Sequence, residues 1–173
     1  EVDRLNAMLE QLLQLARLES GNTRANRTPV DLSAFFNALN AEWQPRLAEK
    51  NMHLGLEIPS GSTLATDAAL LNIVLDNLIG NAVKYGHAGG QIHCTWSVEN
   101  NVLTISDNGP GIPAEHVPHL FDRFYRTDAS RSTSIPGAGL GLSIAQKIAG
   151  VLGIQLCVSS QEGAGTTFTL HFF

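Results

Sequence analysis

"DAALLNIVLDNLIGNAVKY", residues 67–85, reads as one long helix with an awkward polar edge. Asp67 stands where an N-cap carboxylate accepts the first free backbone N–H groups, and Gly86 follows the last periodic residue. Most of the span is apolar, so most of the helix faces a core. Yet Asn77, Asn81 and Lys84 recur at four- and three-residue steps, which places two amides and an ammonium on one face. Burying that face is costly unless something polar meets it. The alternative is a solvated stripe, which fits poorly with three such residues amid "LLNIVLDNLI". Amide oxygens are hard ligands of the kind that Mg²⁺ accepts, and Mg²⁺ keeps several waters when it is bound to phosphates.

Around this helix, the other elements fall into an interleaved order. Residues 2–19 carry Val2, Leu5, Leu9, Leu12 and Ala16 at alternating three- and four-residue steps, with Met8, Leu13 and Leu15 widening the stripe. A helix this short and apolar calls for a partner helix, expected outside this chain. "SGNTRANRTP" (20–29) is polar, with a glycine stop and a closing proline, and is read as a linker over 21–29. Asp31 or Ser33 is placed to cap a helix that buries Leu32, Phe35, Phe36, Leu39 and Trp43. "MHLGLEI" (52–58) alternates as a strand does, and 91–107 gives two strands around Glu99-Asn100-Asn101. A helix follows Gly141, with Gly150 read as its stop, and strands follow at 154–159 and 166–172. The expected fold is a two-layer α/β sandwich: a mixed, mostly antiparallel sheet with helices on one face, preceded by the amphipathic helix.

The 173 residues suffice for one domain and a short appendage, and the 43% hydrophobic content is that of a globular protein. A net charge of -5 argues against a nucleic-acid binder, which needs a basic surface. No apolar run is long enough to span a membrane, and "EVDRLNAMLEQ" is not a signal peptide, so no direct membrane contact is expected. The absence of an initial Met suggests a piece of a longer protein. Cys94 and Cys157 sit far apart in apolar stretches and are read as reduced, buried thiols.

"SIPGAGLGLSIAQKIAG" (134–150) has the glycines of a phosphate-binding loop, but neither familiar pattern fits it. A dinucleotide fingerprint needs a third glycine where Leu142 stands, and a strand where "RSTSI" stands. A P-loop needs G-K-[ST], which is missing. A second glycine pair lies in "SDNGPGIP" (106–113), just after the strand that ends at Asp107.

Taken together, "NLIGNAVKY" (77–85), "DNGPGIP" (107–113), "FDRFYR" (121–126), "GAGLGLSI" (137–144) and "GAGTTFTL" (163–170) resemble, in order, the motifs of the GHKL (Bergerat-fold) superfamily. More specifically, they resemble the catalytic ATP-binding domain of sensor histidine kinases. The resemblance covers about residues 30–173, and 1–20 resembles the end of the second helix of the dimerisation hairpin. It implies ATP and Mg²⁺ as ligands, with Asn81 on the metal and Asn77 supporting metal or phosphate. Lys84 would neutralise phosphate, and Tyr85 would lie near the ribose. Asp107 would accept from the adenine amine, Gly109 and Gly111 would let the chain turn past the base, and Ile112 would pack on it. Thr166 or Thr167 would complete the adenine site. Residues 127–136 would form a lid flanked by Arg126 and Arg131, both aimed at the γ-phosphate. Gly137, Gly139 and Gly141, with Leu140 and Leu142, would bring the next helix start to the phosphates.

The hydrolysing cousins carry a glutamate one turn before Asn81, and this chain has Asn77. An amide cannot take a proton from water. Asp76 is turned about 100° away around the helix. Transfer is therefore expected rather than hydrolysis, because positioning and charge neutralisation carry phosphoryl transfer. None of His53, His87, His93, His116, His119 or His171 has the H-[ED]-x-x-x-P setting of a phospho-acceptor. The implied partners are the chain's own hairpin and homodimer, and a response-regulator receiver. The implied place is the cytoplasmic side of a bacterial inner-membrane sensor. An anti-sigma-type serine kinase and a degenerate docking module stand as alternatives.

Overall fold

The computed structural model describes residues 2–127 and 137–173. Helix α1 (Val2–Glu19) is followed by β1 (Thr28–Asp31), α2 (Leu32–Glu49), β2 (His53–Glu57), β3 (Thr63–Thr66), α3 (Ala68–Tyr85), β4 (Gln91–Ser97) and β5 (Val102–Asp107). A 3-10 turn (Val117–His119), α4 (Gly141–Leu152), β6 (Ile154–Gln161) and β7 (Gly165–Phe172) complete the order. Five strands form one sheet in the order β2-β4-β5-β7-β6. Strand β2 runs parallel to β4, because α3 carries the chain across between them, and the remaining pairs are antiparallel.

Period-two alternation gives this sheet one apolar face. Ile92, Cys94 and Trp96 of β4, Leu103 and Ile105 of β5, and Phe168 and Leu170 of β7 are all buried, in one core with α2, α3 and α4. On the other face, Thr95, Thr104, Thr169 and Cys157 make a half-exposed row across four strands. The result is the expected two-layer sandwich with helices on one side. Helix α3 contributes most to its interior. Leu71, Val74, Leu75, Leu78 and Ile79 are fully buried, each stabilising by about 1.5–3 kcal/mol.

Four details depart from the sequence expectations. Strands β1 and β3 were not foreseen; they pair with each other, Val30 opposite Leu64, as a separate two-stranded sheet. Thr28 and Pro29, expected in the linker, belong to β1. Its neighbours are also anchored, since Asn26 N donates to Asp67 Oδ2 at 2.8 Å and Arg27 Nη2 to the Leu152 carbonyl at 2.8 Å. Gly150 lies inside α4, and the helix stops three residues later at Gly153, whose φ of 69° is the left-handed stop that glycine takes without strain. Cys157 is half-buried rather than buried; Cys94 is buried as expected, and burial pushes its thiol up to about 12.

In α1, Leu15 is buried and Leu18 packs on the core, while Val2, Leu5, Leu9, Leu12 and Leu13 stay exposed. No helix among the described residues is long and apolar enough to cross a membrane.

Asp31 caps α2 through Ala34 N (3.0 Å), and Asp67 caps α3 through Leu70 N (3.0 Å) while also holding Asn26 N. The Leu70 and Asn26 N–H groups hold the Asp67 carboxyl below its ordinary 3.8. Asp67→Ala should therefore cost about 1–2 kcal/mol, read by denaturant unfolding at neutral pH. A depressed folded pKa stabilises above the unfolded value of 3.8 and is lost as pH falls through the folded one. The gap between wild type and variant should thus close in acid below that value.

Candidate functional site

The polar edge of α3 meets the start of α4. Asn77 Nδ2 donates to the Ile73 carbonyl at 2.8 Å, which turns Oδ1 toward α4. A Cβ on Gly141 would lie 2.6 Å from that oxygen, so only glycine lets the two helices approach this closely. One turn further, Asn81 and Lys84 are half-buried. Lys84 Nζ sits 4.8 Å over the Tyr85 ring and abuts Gly137, where a side chain would collide with it. Along the second half of α3, two distant motifs thus meet in two places: Asn77 against Gly141, and Lys84 with Tyr85 against Gly137.

Asp107 closes the other side of the site at the tip of β5. Its Oδ1 accepts from Gly109 N at 2.9 Å, and its register partner on β7 is Thr166. Burial raises the carboxyl's pKa, opposed by the Gly109 and Thr166 N–H groups and by nearby His87. Thr166 is buried, with its hydroxyl 2.9 Å from Ser160 Oγ, which also accepts from Ile112 N at 2.9 Å. Thr167 pairs instead with Ser106 and Ser159 on the opposite, open face of the sheet, so Thr166 is the one of the two that stands beside Asp107.

Residues on either side of 128–136 are stitched together. Phe124 N donates to the Gly139 carbonyl at 3.0 Å, and Arg126 Nη1 donates to the Gly137 carbonyl at 2.9 Å. Arg131 and the rest of the expected lid from 128 onward lie outside the described residues. Leu140, expected at the ligand, has its side chain fully buried in the core, and its carbonyl accepts from Ile144 N and Ser143 Oγ. Leu142 packs on the core beside it. The Leu140 side chain therefore does not line the site, whereas Leu142 is only half-buried.

Asp76 does not join the polar edge. Its carboxylate accepts from Trp43 Nε1 at 3.0 Å and from Asn72 Nδ2 at 3.0 Å, on the α2 side of the helix. Burial raises its pKa, with the Trp43 bond opposing. In the "FDRFYR" segment, Tyr125 Oη lies 2.6 Å from His116 Nδ1, and Arg123 pairs with Glu19 at the end of α1. The two hollows around α2, one against β2 and one against α3, are lined by none of the predicted site residues.

Comparison with known proteins agrees with this geometry. A family model described as histidine kinase-, DNA gyrase B-, and HSP90-like ATPase matches residues 66–173. The chain belongs to this family. Among curated relatives of this ATPase-family chain, the phosphate regulon sensor protein PhoR of Pseudomonas aeruginosa is 33% identical over 99% of the chain and 39% of its own length. The signal transduction histidine-protein kinase AfsQ2 of Streptomyces coelicolor is 34% identical over 99% of the chain and 31% of its own length. The chain therefore spans about a third of the length of these relatives. Among solved structures, full-length ShkA in complex with AMPPNP matches with a TM-score of 0.81 and 26% identity, covering 97% of the chain and 35% of that protein. The histidine kinase AdeS of Acinetobacter baumannii matches with a TM-score of 0.80 and 28% identity, covering 99% of the chain and 79% of its own.

Gly165 is a site-supporting residue that the sequence reading passed over within its "GAGTTFTL" motif. It has a φ of 104°, and a Cβ there would strike the Asp107 carbonyl. Gly163, two residues earlier, also has a positive φ (80°) but faces open space. Gly163→Ala should cost about 1 kcal/mol of unfolding free energy from backbone strain alone. Gly165→Ala should cost at least about 2 kcal/mol more, because the β5 and β7 backbones must separate at Asp107.

Proposed function

We propose that the chain is the ATP-binding catalytic domain of a two-component sensor histidine kinase. It would present the γ-phosphate to a histidine on the dimerisation hairpin of a longer protein, for later transfer to a receiver domain. The observation that carries this is Asn77. It occupies the position facing the start of α4, where a hydrolase of this family needs a glutamate, and an amide activates no water.

In this assignment Asp107 accepts from the adenine amine, and Thr166 stands beside it to fix the ring through an ordered water. Gly109, Gly111 and Ile112 flank the base. The triphosphate runs toward the start of α4, whose unpaired N–H groups favour anions, with Lys84 adding charge and Tyr85 beside the ribose. Arg126 holds the exit of the lid through Gly137, and the lid with Arg131 would cover the γ-phosphate.

The donor set fits a magnesium ion. No cluster of three His, Cys, Asp or Glu exists among the described residues, and Asn81 offers an amide oxygen next to the phosphate path. Asn81, supported by Asn77, would hold Mg²⁺ together with nucleotide oxygens and water, and the bound ion would offset triphosphate charge. The protein's own residues orient the chain of phosphates in line with the incoming imidazole and shield it from water.

The uncovered apolar stripe of α1, Val2, Leu5, Leu9, Leu12 and Leu13, supports assigning residues 1–20 to the hairpin's second helix and 30–173 to the catalytic domain. A cytoplasmic location beneath a bacterial membrane sensor follows from the same assignment.

Asn81→Ala should abolish Mg²⁺-dependent ATP binding by calorimetry. Asp107→Asn should weaken ATP binding about tenfold or more and narrow the preference for ATP over GTP. Unchanged ATP affinity in both variants would overturn the site. Labelled phosphate from ATP should not accumulate on the 173-residue chain alone, but should reach a hairpin supplied in trans.

A further inference from the structure

Behind the assigned site, a polar junction closes the C-terminal end of α3, where Lys50 enters from the C-terminus of α2. Its Nζ donates to the carbonyls of Val83 (2.7 Å), Lys84 (3.0 Å) and Gly86 (3.2 Å). An ammonium has three donors, and here each finds an acceptor that the helix itself leaves unpaired. The positive charge also sits at the negative end of the α3 dipole. Its own carbonyl accepts from Gly89 N at 2.9 Å, so one residue holds both the last turn of α3 and the loop behind it. That loop enters β4 at Gln91, whose N–H and carbonyl are both held by Asn108, the residue after Asp107.

We propose that Lys50 is a positioning residue for nucleotide binding: it fixes the last turn of α3 so that Lys84 and Tyr85 meet the triphosphate. This rests on the ATP-site assignment above. Lys50 itself points away from the ligand, into backbone carbonyls, and acts through the residues whose carbonyls it holds. Without it, three carbonyls at the helix end lose their charged partner. The final turn is then free to unwind or rotate, and the Lys84 ammonium leaves its place beside Gly137 and Tyr85. Asp107 is held independently by Gly109 and the β5–β7 ladder, so the adenine end is disturbed less.

The consequence is a selective loss, read by titrating the 173-residue chain and its Lys50→Met and Lys50→Arg variants with ATP–Mg²⁺ and, separately, with adenosine. Calorimetry suits ATP, and NMR shift titration suits the weaker nucleoside. Lys50→Met should bind ATP–Mg²⁺ about tenfold more weakly, with adenosine affinity changed less than about twofold. Lys50→Arg keeps the charge but reaches fewer of the converging carbonyls from its flat fork, so its ATP affinity should fall between the other two. Equal losses for ATP and adenosine would mean general destabilisation and overturn the proposal, as would unchanged ATP affinity in folded Lys50→Met. Should Lys50→Met not fold, an ATP-to-adenosine affinity ratio in Lys50→Arg equal to that of wild type overturns it, and a lowered ratio supports it. If the wild-type chain bound adenosine and ATP–Mg²⁺ with equal affinity, the ATP-site assignment would fall, and this proposal with it.

Discussion

Helix α3 can be buried in only one orientation, and the site depends on that constraint. Its apolar stripe, from Leu71 through Val83, has no residue more than 9% exposed. Rotating the helix by even part of a turn would bring Asn77 or Asn81 into that core, at a cost of several kcal/mol for each amide left unpaired. The direction of the polar edge is thus set by packing on the sheet rather than by any contact the edge itself makes. Helix α4 then closes against it, and the missing side chain of Gly141 decides how near its N-terminus can come. The proposed anion site between a helix start and Lys84 would thus arise because two helices pack for hydrophobic reasons and one position carries no side chain.

The two ends of the site are built differently. At the end proposed to hold the base, Asp107 belongs to the tip of a central strand, and Gly165 lets β7 run close beside it; Gly111 allows a similarly close approach to the Gln161 carbonyl. The first contact lies at the end of the β5–β7 ladder, and the second ties the loop after β5 to the end of β6. At the end proposed to hold the phosphates, the parts are segment ends stitched by single bonds, Phe124 to Gly139 and Arg126 to Gly137, with the last turn of α3 held from behind by Lys50. Under the proposed function, that division would let recognition of the nucleotide rest on the sheet and presentation of its phosphate rest on the loops.

How far all this was legible from sequence depends on what kind of signal each feature leaves. Helix α3, both hairpins and the polar triad have strong periodicity or capping, and Asn77, Asn81, Lys84 and Asp107 could be read from spacing and motif. Strands β1 and β3 leave almost none. Each has four residues, β1 contains Pro29, and they are strands because Val30 and Leu64 meet across a long separation. The stop of α4 was read one turn early because Gly150 and Gly153 are both plausible stops on paper. Only the left-handed backbone at 153 distinguishes them. The choice between Thr166 and Thr167 needed the register with Asp107, which is a property of two strands. Leu140 and Leu142 carried a motif's position but pack their side chains on the core. Lys50 gave no signal, since a lysine in "AEKNMH" looks like any solvated residue until three carbonyls converge on it.

Asp76 shows why geometry has to precede titration in assigning chemistry. A half-buried carboxylate with a raised pKa, one residue from the position where related ATPases keep their general base, has the electrostatic profile of a catalytic group. Its two oxygens are nevertheless taken by Trp43 and Asn72 on the α2 side, and the helix turn points it away from α4. The raised pKa reports the cost of bringing α2 and α3 together around Trp43, not a poised base. The residue that does face the start of α4 is Asn77, which has no proton affinity to offer. A water molecule held there would meet no base, whereas an incoming imidazole brings its own lone pair. Under the proposed function, the same geometry would leave hydrolysis slow and transfer to an external histidine unimpeded.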